Sequence, residues 1–257
     1  MKKVTVSLTG GLGNQMFQYA AGRALSLRLA VPLVLDLSWF QRSFRPEIMT
    51  RRHYELGDFP NLTNHHIVAP YPLPTKITKL LSVVKAENFV EEAATTPEKF
   101  ESLNGKSSTR LIGYWQNMAY FQSITETLRT DFGLNYDNYR RDNHMLPRLK
   151  PDATLGVHVR RGDYVTLSEH VGANRALPIS YYLNAIEYVV SVRDIRLIVV
   201  VSDDPEWCRK HFTDSRCVFV NTGNRSIEDF SLLQSCDHHV ISNSSFSWWA
   251  AWLPRSS

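Results

Sequence analysis

Thr154-Leu155-Gly156-Val157-His158-Val159-Arg160-Arg161-Gly162-Asp163-Tyr164 begins as a short apolar run and ends as a charged turn. The first half reads as a buried strand, and Gly162 turns the chain. Charge at the C-terminal end of a strand, just before a tight turn, is where open α/β sheets place ligands. Side chains alternate along a strand, so His158 and Arg160 share one face and Arg161 takes the other. His158 and Arg160 are therefore expected to point into a site, and Arg161 to pair with a carboxylate behind the strand. The competing reading is a solvated strand end carrying surface arginines.

Outward from this segment, strands and helices alternate in both directions. Downstream, a polar loop over 165–177 leads to a helix capped by Ser180 and running through Val192. Leu197 to Val201 has the β-branched composition of a central parallel strand. Asp203, Asp204 and Pro205 then open a helix, with Pro at its first position. Val218 to Val220 reads as a strand, Ser226 to Ser235 as a helix and His239 to Ser242 as a strand. Ser242-Asn243-Ser244-Ser245-Phe246-Ser247 follows, before a helix rich in Ala and Trp. One serine suffices to cap a helix, so the cluster points to an anion cradle at the helix start.

Upstream, Val4 to Leu8 reads as a strand, and Gly10-Gly11-Leu12-Gly13-Asn14-Gln15 as a turn before a helix over Met16 to Leu29. Strand, glycine turn and helix make a place where backbone amides face an anion. The turn lacks the third glycine of a dinucleotide fingerprint and the Gly-Lys ending of a phosphate loop. The competing reading is a plain tight turn with helix–sheet packing, which explains the amides of Asn14 and Gln15 less easily. Pro32 to Leu37 reads as the next strand. Arg51, Arg52 and His53 form a small basic cluster, read as solvated surface or as a contact for acceptor or membrane. Residues 65–110 are expected to hold short helices and loops, followed by a strand over Leu111 to Trp115 and a helix over Tyr120 to Leu128. The polar stretch through Pro151 places a domain boundary near 150, giving domains over 1–150 and 151–257. The pattern is α/β, with mainly parallel sheets in two Rossmann-like domains facing a cleft.

The 257 residues suffice for one large domain or two of ordinary size. A net charge of +4 suits an anionic ligand or weak contact with anionic lipid, and is too small to argue for nucleic acid. Cys208, Cys217 and Cys236 show no metal-ligand spacing, which argues for reduced thiols in the cytoplasm. No apolar run approaches the ~18–20 residues of a membrane span. A cytoplasmic protein with peripheral contact at the inner face of the membrane is expected.

Three separated motifs resemble those of the bacterial α-1,2-fucosyltransferases. Gly10-Gly11-Leu12-Gly13-Asn14-Gln15-Met16-Phe17-Gln18-Tyr19-Ala20 looks like the N-terminal signature of that family. His158-Val159-Arg160-Arg161-Gly162-Asp163-Tyr164 is similar to its His-x-Arg-Arg-Gly-Asp-Tyr motif, and the run from Ser242 to Trp252 to its C-terminal motif. The resemblance implies a GT-B-type fold, GDP-β-L-fucose as donor, a galactose-terminated glycan as acceptor, inversion at the anomeric carbon and no required metal or other cofactor. It implies that Arg160 holds the diphosphate, with His158 beside the donor nucleotide and Asn243, Ser244, Ser245 and Phe246 around the phosphates. Asp229 is expected on the guanine, with a capping role after Ser226 as the alternative. Gly11, Gly13, Asn14 and Gln15 are expected to approach the phosphate or the fucose. His158 and Asp163 are the candidates for the base, with a late proton transfer that needs little base help as the alternative. Family members usually continue beyond Ala251-Trp252-Leu253, so the second domain is expected to lack a final strand and helix. A non-catalytic GDP-sugar-binding or regulatory protein is the alternative function.

Overall fold

The computed structural model describes residues 1–41, 52–68, 87–134, 153–162, 164–165, 176–220 and 225–253. Two compact units part between Gly133 and Leu134. The boundary expected near 150 falls outside the described residues.

The first unit contains β1 (Val4–Ser7), α1 (Leu12–Leu29), β2 (Leu33–Asp36), β3 (His66–Val68), β4 (Glu87–Glu91), α2 (Pro97–Glu101), β5 (Ser108–Ile112) and α3 (Thr125–Asp131). Its strands form a parallel sheet in the order β3-β2-β1-β5-β4. α1 lies close on β1: a Cβ at Gly22 would sit 2.2 Å from a Val6 methyl, so only glycine allows this approach. The helix ends at Ala30, which takes a left-handed φ of 52° and donates to the Leu27 and Ser26 carbonyls.

Here the structure departs from the sequence-based expectations in three places. β3 and β4 lie within the region read as helices and loops. Both are edge strands, so neither needs the apolar run of a central strand. Glu87 of β4, polar in sequence, joins Asp36 in holding Arg110 across the sheet, at 3.1 and 2.6 Å. The strand expected over Leu111 to Trp115 instead ends at Ile112, where Gly113 turns the chain with φ 138°. Short 3-10 turns replace the first part of the helix expected from Tyr120, and α3 starts only at Thr125.

The second unit contains β6 (Thr154–Val159), α4 (Ile179–Val192), β7 (Leu197–Ser202), α5 (Pro205–His211), β8 (Cys217–Val220), α6 (Ser226–Gln234), β9 (His238–Val240) and α7 (Ser245–Trp252). Its parallel sheet has the order β8-β7-β6-β9. β6 is buried along its whole length, as an interior parallel strand should be. Tyr182 and Ile186 of α4 and Cys208 of α5 pack with Leu155, Val157 and Val159 of β6. α6 covers the other face, where a Cβ at Gly156 would lie 2.9 Å from Leu233. Pro178, with φ −67°, holds the N-cap position of α4, so Ser180 falls inside the helix and caps nothing.

The chain builds β6, β7 and β8 to one side and then crosses back to lay β9 on the other flank of β6. This crossover puts the switch point of the sheet at the C-terminal ends of β6 and β9, where open α/β folds place their ligands. In the first unit the same relation holds between β1 and β5.

Candidate active site

The switch point of the second unit gathers His158, Arg160 and the segment 243–246, all singled out in sequence. His158, near the end of β6, is 5% exposed, and its Nδ1 lies 2.9 Å from Ser242 Oγ, just past β9. Its ring packs at 5.2 Å on Phe246 of α7, which meets Phe230 of α6 at 5.5 Å. Burial, helped by the nearby Arg160 charge, lowers the His158 pKa to about 3. The imidazole is therefore neutral at ordinary pH, and a weak base.

α7 starts at Ser245 without a side-chain cap from Ser244. By helix geometry its first-turn N–H groups find no carbonyl within the helix. Together with the helix dipole they make an anion-favouring end beside His158. Ser244, Ser245 and Phe246 are half-buried here and Asn243 is exposed. Ser247 is fully buried and donates to the Ser244 carbonyl at 3.2 Å, so it shapes the turn from inside.

Arg160 is fixed from the side of β7. Asp203 Oδ2 lies 2.9 Å from its guanidinium, and Asp203 Oδ1 accepts the Arg161 N–H at 2.9 Å. A Cβ at Gly162 would come within 2.6 Å of Asp203 Oδ2, so this glycine leaves the carboxylate its room. The Arg160 guanidinium also sits 5.8 Å from the Tyr164 ring, whose hydroxyl donates to the Asn243 carbonyl at 3.1 Å. Arg161 turns the other way, as alternation requires. It pairs with Asp204 at 3.2 Å and lies 3.9 Å over Trp207. Asp204 also caps α5 by accepting the Trp207 N–H. Sequence reasoning placed both acids at the helix start, with contact to a ribose or base as the alternative. One carboxylate suffices for that cap, and the surplus acid was the available signal that Asp203 does something else.

The remaining expectations are met unevenly. Asp163 lies outside the described residues. Asp229 is half-buried in the first turn of α6, which packs on α7. Arg225 rather than Ser226 holds the N-cap position, without a side-chain cap.

The glycine turn forms a group of its own in the first unit. Gly10 takes φ 76°, a conformation that favours glycine, and Gly11 is the N-cap of α1. Gly13 is buried, and half-buried Asn14 accepts a bond from Gln116 at 2.7 Å. Gln15 is fully buried. Its Nε2 donates to the Gly10 and His53 carbonyls at 3.0 and 2.8 Å, and its Oε1 accepts the Glu55 N–H at 2.9 Å. This corrects the expectation that its amide faces a ligand: it holds the turn from within. Gln18 plays a like part, bonding Thr9 and the Gly113 carbonyl. Arg52 lies beside the turn, 3.4 Å from where a Gly11 Cβ would stand.

Among the described residues, no three His, Cys, Asp or Glu side chains lie together as metal ligands would. Nor is any described helix long and apolar enough to cross a membrane.

The chain is 33% identical to an alpha-1,2-colitosyltransferase of Escherichia coli over 98% of its length and 88% of the relative's. It is 32% identical to the O-antigen biosynthesis glycosyltransferase WbnK of Escherichia coli, over 96% of this chain and 88% of that one. NodZ, an alpha-1,6-fucosyltransferase of Bradyrhizobium whose crystal was soaked with GDP-fucose, aligns with a TM-score of 0.55 at 14% identity, covering 99% of this chain and 93% of its own. The likeness to NodZ shows the fold, an α/β fold of the GT-B type. Residues 82–256 match the model of glycosyl transferase family 11, and with the two relatives this establishes that the chain belongs to that family.

Proposed function

We propose that this glycosyltransferase moves L-fucose from GDP-β-L-fucose to the 2-hydroxyl of a terminal galactose, with inversion, on an O-antigen or other surface glycan. The observation that carries the reading is the assembly of Arg160, His158 and the start of α7 at one switch point. The names of the relatives support the linkage and the glycan class.

The difficulty in the reaction is charge separation. GDP gains negative charge on its β-phosphate while the sugar becomes oxocarbenium-like. Fixed positive charge and amide donors in a partly dry site answer that charge without reorganising. Arg160 would meet the diphosphate with its planar fork, which gives two parallel bonds where a lysine gives one point charge. Each charge-assisted bond is worth on the order of 1.5–3 kcal/mol. Neutral His158 would lie against the nucleotide without adding charge, and Asp229 would take the guanine. Asn14 and the glycine turn would serve the phosphate or the fucose, with no metal or other cofactor taking part. A site at the cytoplasmic face of the membrane, held by weak peripheral contact, fits the mildly basic chain.

The test is incubation with GDP-fucose, and separately with a colitosyl donor, against lactose and galactosyl-N-acetylgalactosamine, read by mass spectrometry. A product heavier by one deoxyhexose, with GDP released, supports the proposal. Calorimetric binding of GDP-fucose without release of GDP would instead mark a non-catalytic GDP-sugar-binding protein.

A further inference from the structure

The loop after β5 is held more firmly than an exposed loop needs to be. Gly113 takes φ 138°, and a Cβ there would meet Glu92 at 2.5 Å. Just beyond it, Trp115 takes a left-handed φ of 59°, a costly conformation for so bulky a residue. Its indole is fully buried and packs on Phe100 and Tyr120 at 5.4 and 5.0 Å. The Glu92 carboxylate braces the backbone on both sides of it, accepting the Tyr114 N–H at 2.7 Å and the Gln116 N–H at 3.2 Å.

Trp115 is thus sunk and Tyr114 is raised. Among the described residues of the first unit, Tyr114 is the one exposed Phe, Tyr or Trp side chain, at 48%. A lone tyrosine on a surface is ordinary. This one is presented by a strained and braced backbone at the switch point between β1 and β5, where α/β folds carry their ligands. The loop is also knit to the glycine turn. Gln116 Nε2 donates to Asn14 Oδ1 at 2.7 Å, and Gln18 Nε2 donates to the Gly113 carbonyl at 3.0 Å. The exposed Gln116 amide is thereby held in place on the same short loop as the ring.

Resting on the fucosyl-transfer reading above, we propose that Tyr114 is the platform on which the acceptor's terminal galactose stacks, with the Gln116 amide serving the sugar hydroxyls. A pyranose has an apolar face of C–H bonds and a rim of hydroxyls. The axial hydroxyl of galactose leaves a continuous run of C–H bonds on one face. That face suits the flat, electron-rich face of a phenol ring. An amide both donates and accepts, as hydroxyls require. Ring and amide are neutral, which fits a sugar rather than a diphosphate. Tyrosine also gives a large contact at a low cost in side-chain freedom. Its part is to select and hold the acceptor, and it takes no proton.

The experiment uses the full chain with GDP-fucose and whichever of lactose and galactosyl-N-acetylgalactosamine it fucosylates faster. Tyr114→Ala should melt near wild type, because so much of the ring stands in solvent. Its KM for the galactoside should rise about tenfold or more while kcat stays within about twofold. Its KM for GDP-fucose should stay within about twofold of wild type, because the interaction removed is one made with the acceptor. Tyr114→Phe keeps the ring face and should match wild type. Tyr114→Leu keeps apolar bulk without the flat face and should resemble Tyr114→Ala. Should Tyr114→Ala fail to fold, Tyr114→Phe against Tyr114→Leu carries the same comparison. A folded Tyr114→Ala whose galactoside KM lies within about twofold of an active wild type would overturn the inference. So would a Tyr114→Phe as impaired as Tyr114→Ala, or an equal rise in the KM for GDP-fucose. A wild-type chain that transfers no fucose to either galactoside would overturn the underlying reading, and the acceptor platform with it.

Discussion

Asp203 and Arg160 form an ion pair at 2.9 Å, with side chains 26% and 21% exposed. So exposed a pair adds at most about 1 kcal/mol to stability. Its value lies in holding the guanidinium still. Arg160→Ala should therefore fold and melt nearly as wild type while losing at least ~10–100-fold in transfer rate. Near-wild-type turnover by the folded variant would remove Arg160 from the chemistry. Steady-state rates beside a thermal melt decide the matter.

Gly162 is the second lever on that guanidinium. In Gly162→Ala the new methyl would meet Asp203 Oδ2 at 2.6 Å and push the carboxylate off Arg160. Turnover should fall by about tenfold, and combining the change with Asp203→Ala should cost no more than the worse single variant, because both act through one contact. Additive losses in the double-mutant cycle would show that the glycine matters for another reason.

His158 should make the fold sensitive to acid. Its folded pKa of about 3 lies below its ordinary 6.5, so between those values the unfolded chain binds a proton that the folded chain does not. Stability from this group is thus fully present above about pH 6.5 and is lost as pH falls toward 3. The slope approaches 1.4 kcal/mol per pH unit, about the free energy of one proton's linkage. Burial also lowers the pKa values of His65 and His239, so some slope should persist in His158→Asn. Urea titrations across this range should show a shallower decline for the variant than for wild type.

If the leaving diphosphate is stabilised by Arg160 and the α7 amides, a chelator should not matter. Transfer in excess EDTA should stay within about twofold of the untreated rate, since no lost ligand would raise the barrier appreciably. A collapse of activity that magnesium or manganese restores would assign part of that work to a cation.

The elements that sequence showed best are those with unmixed demands. β6 and β7 are buried on both sides and had to be apolar, and the charges ending β6 had few roles open to them. The pairing of Arg161 behind the strand followed from alternation alone, and the structure supplies Asp204. β3 and β4 escaped notice because an edge strand has one unpaired flank and tolerates polar residues. Gln15 was recognisable as unusual, yet not as an inward-facing tie, because its partners stand 38 and 40 residues away.

The paired amides of Gln15 and Gln18 set the shape of the glycine turn through hydrogen bonds of fixed length rather than through the volume of the surrounding hydrocarbon. Apolar exchanges deeper in α1, at Met16 or Leu25, will change how firmly the unit holds together while leaving the loop's outline alone. Divergence among relatives can therefore proceed in the interior and at the glycine turn along separate tracks. Only a change at either glutamine forces the two to move together.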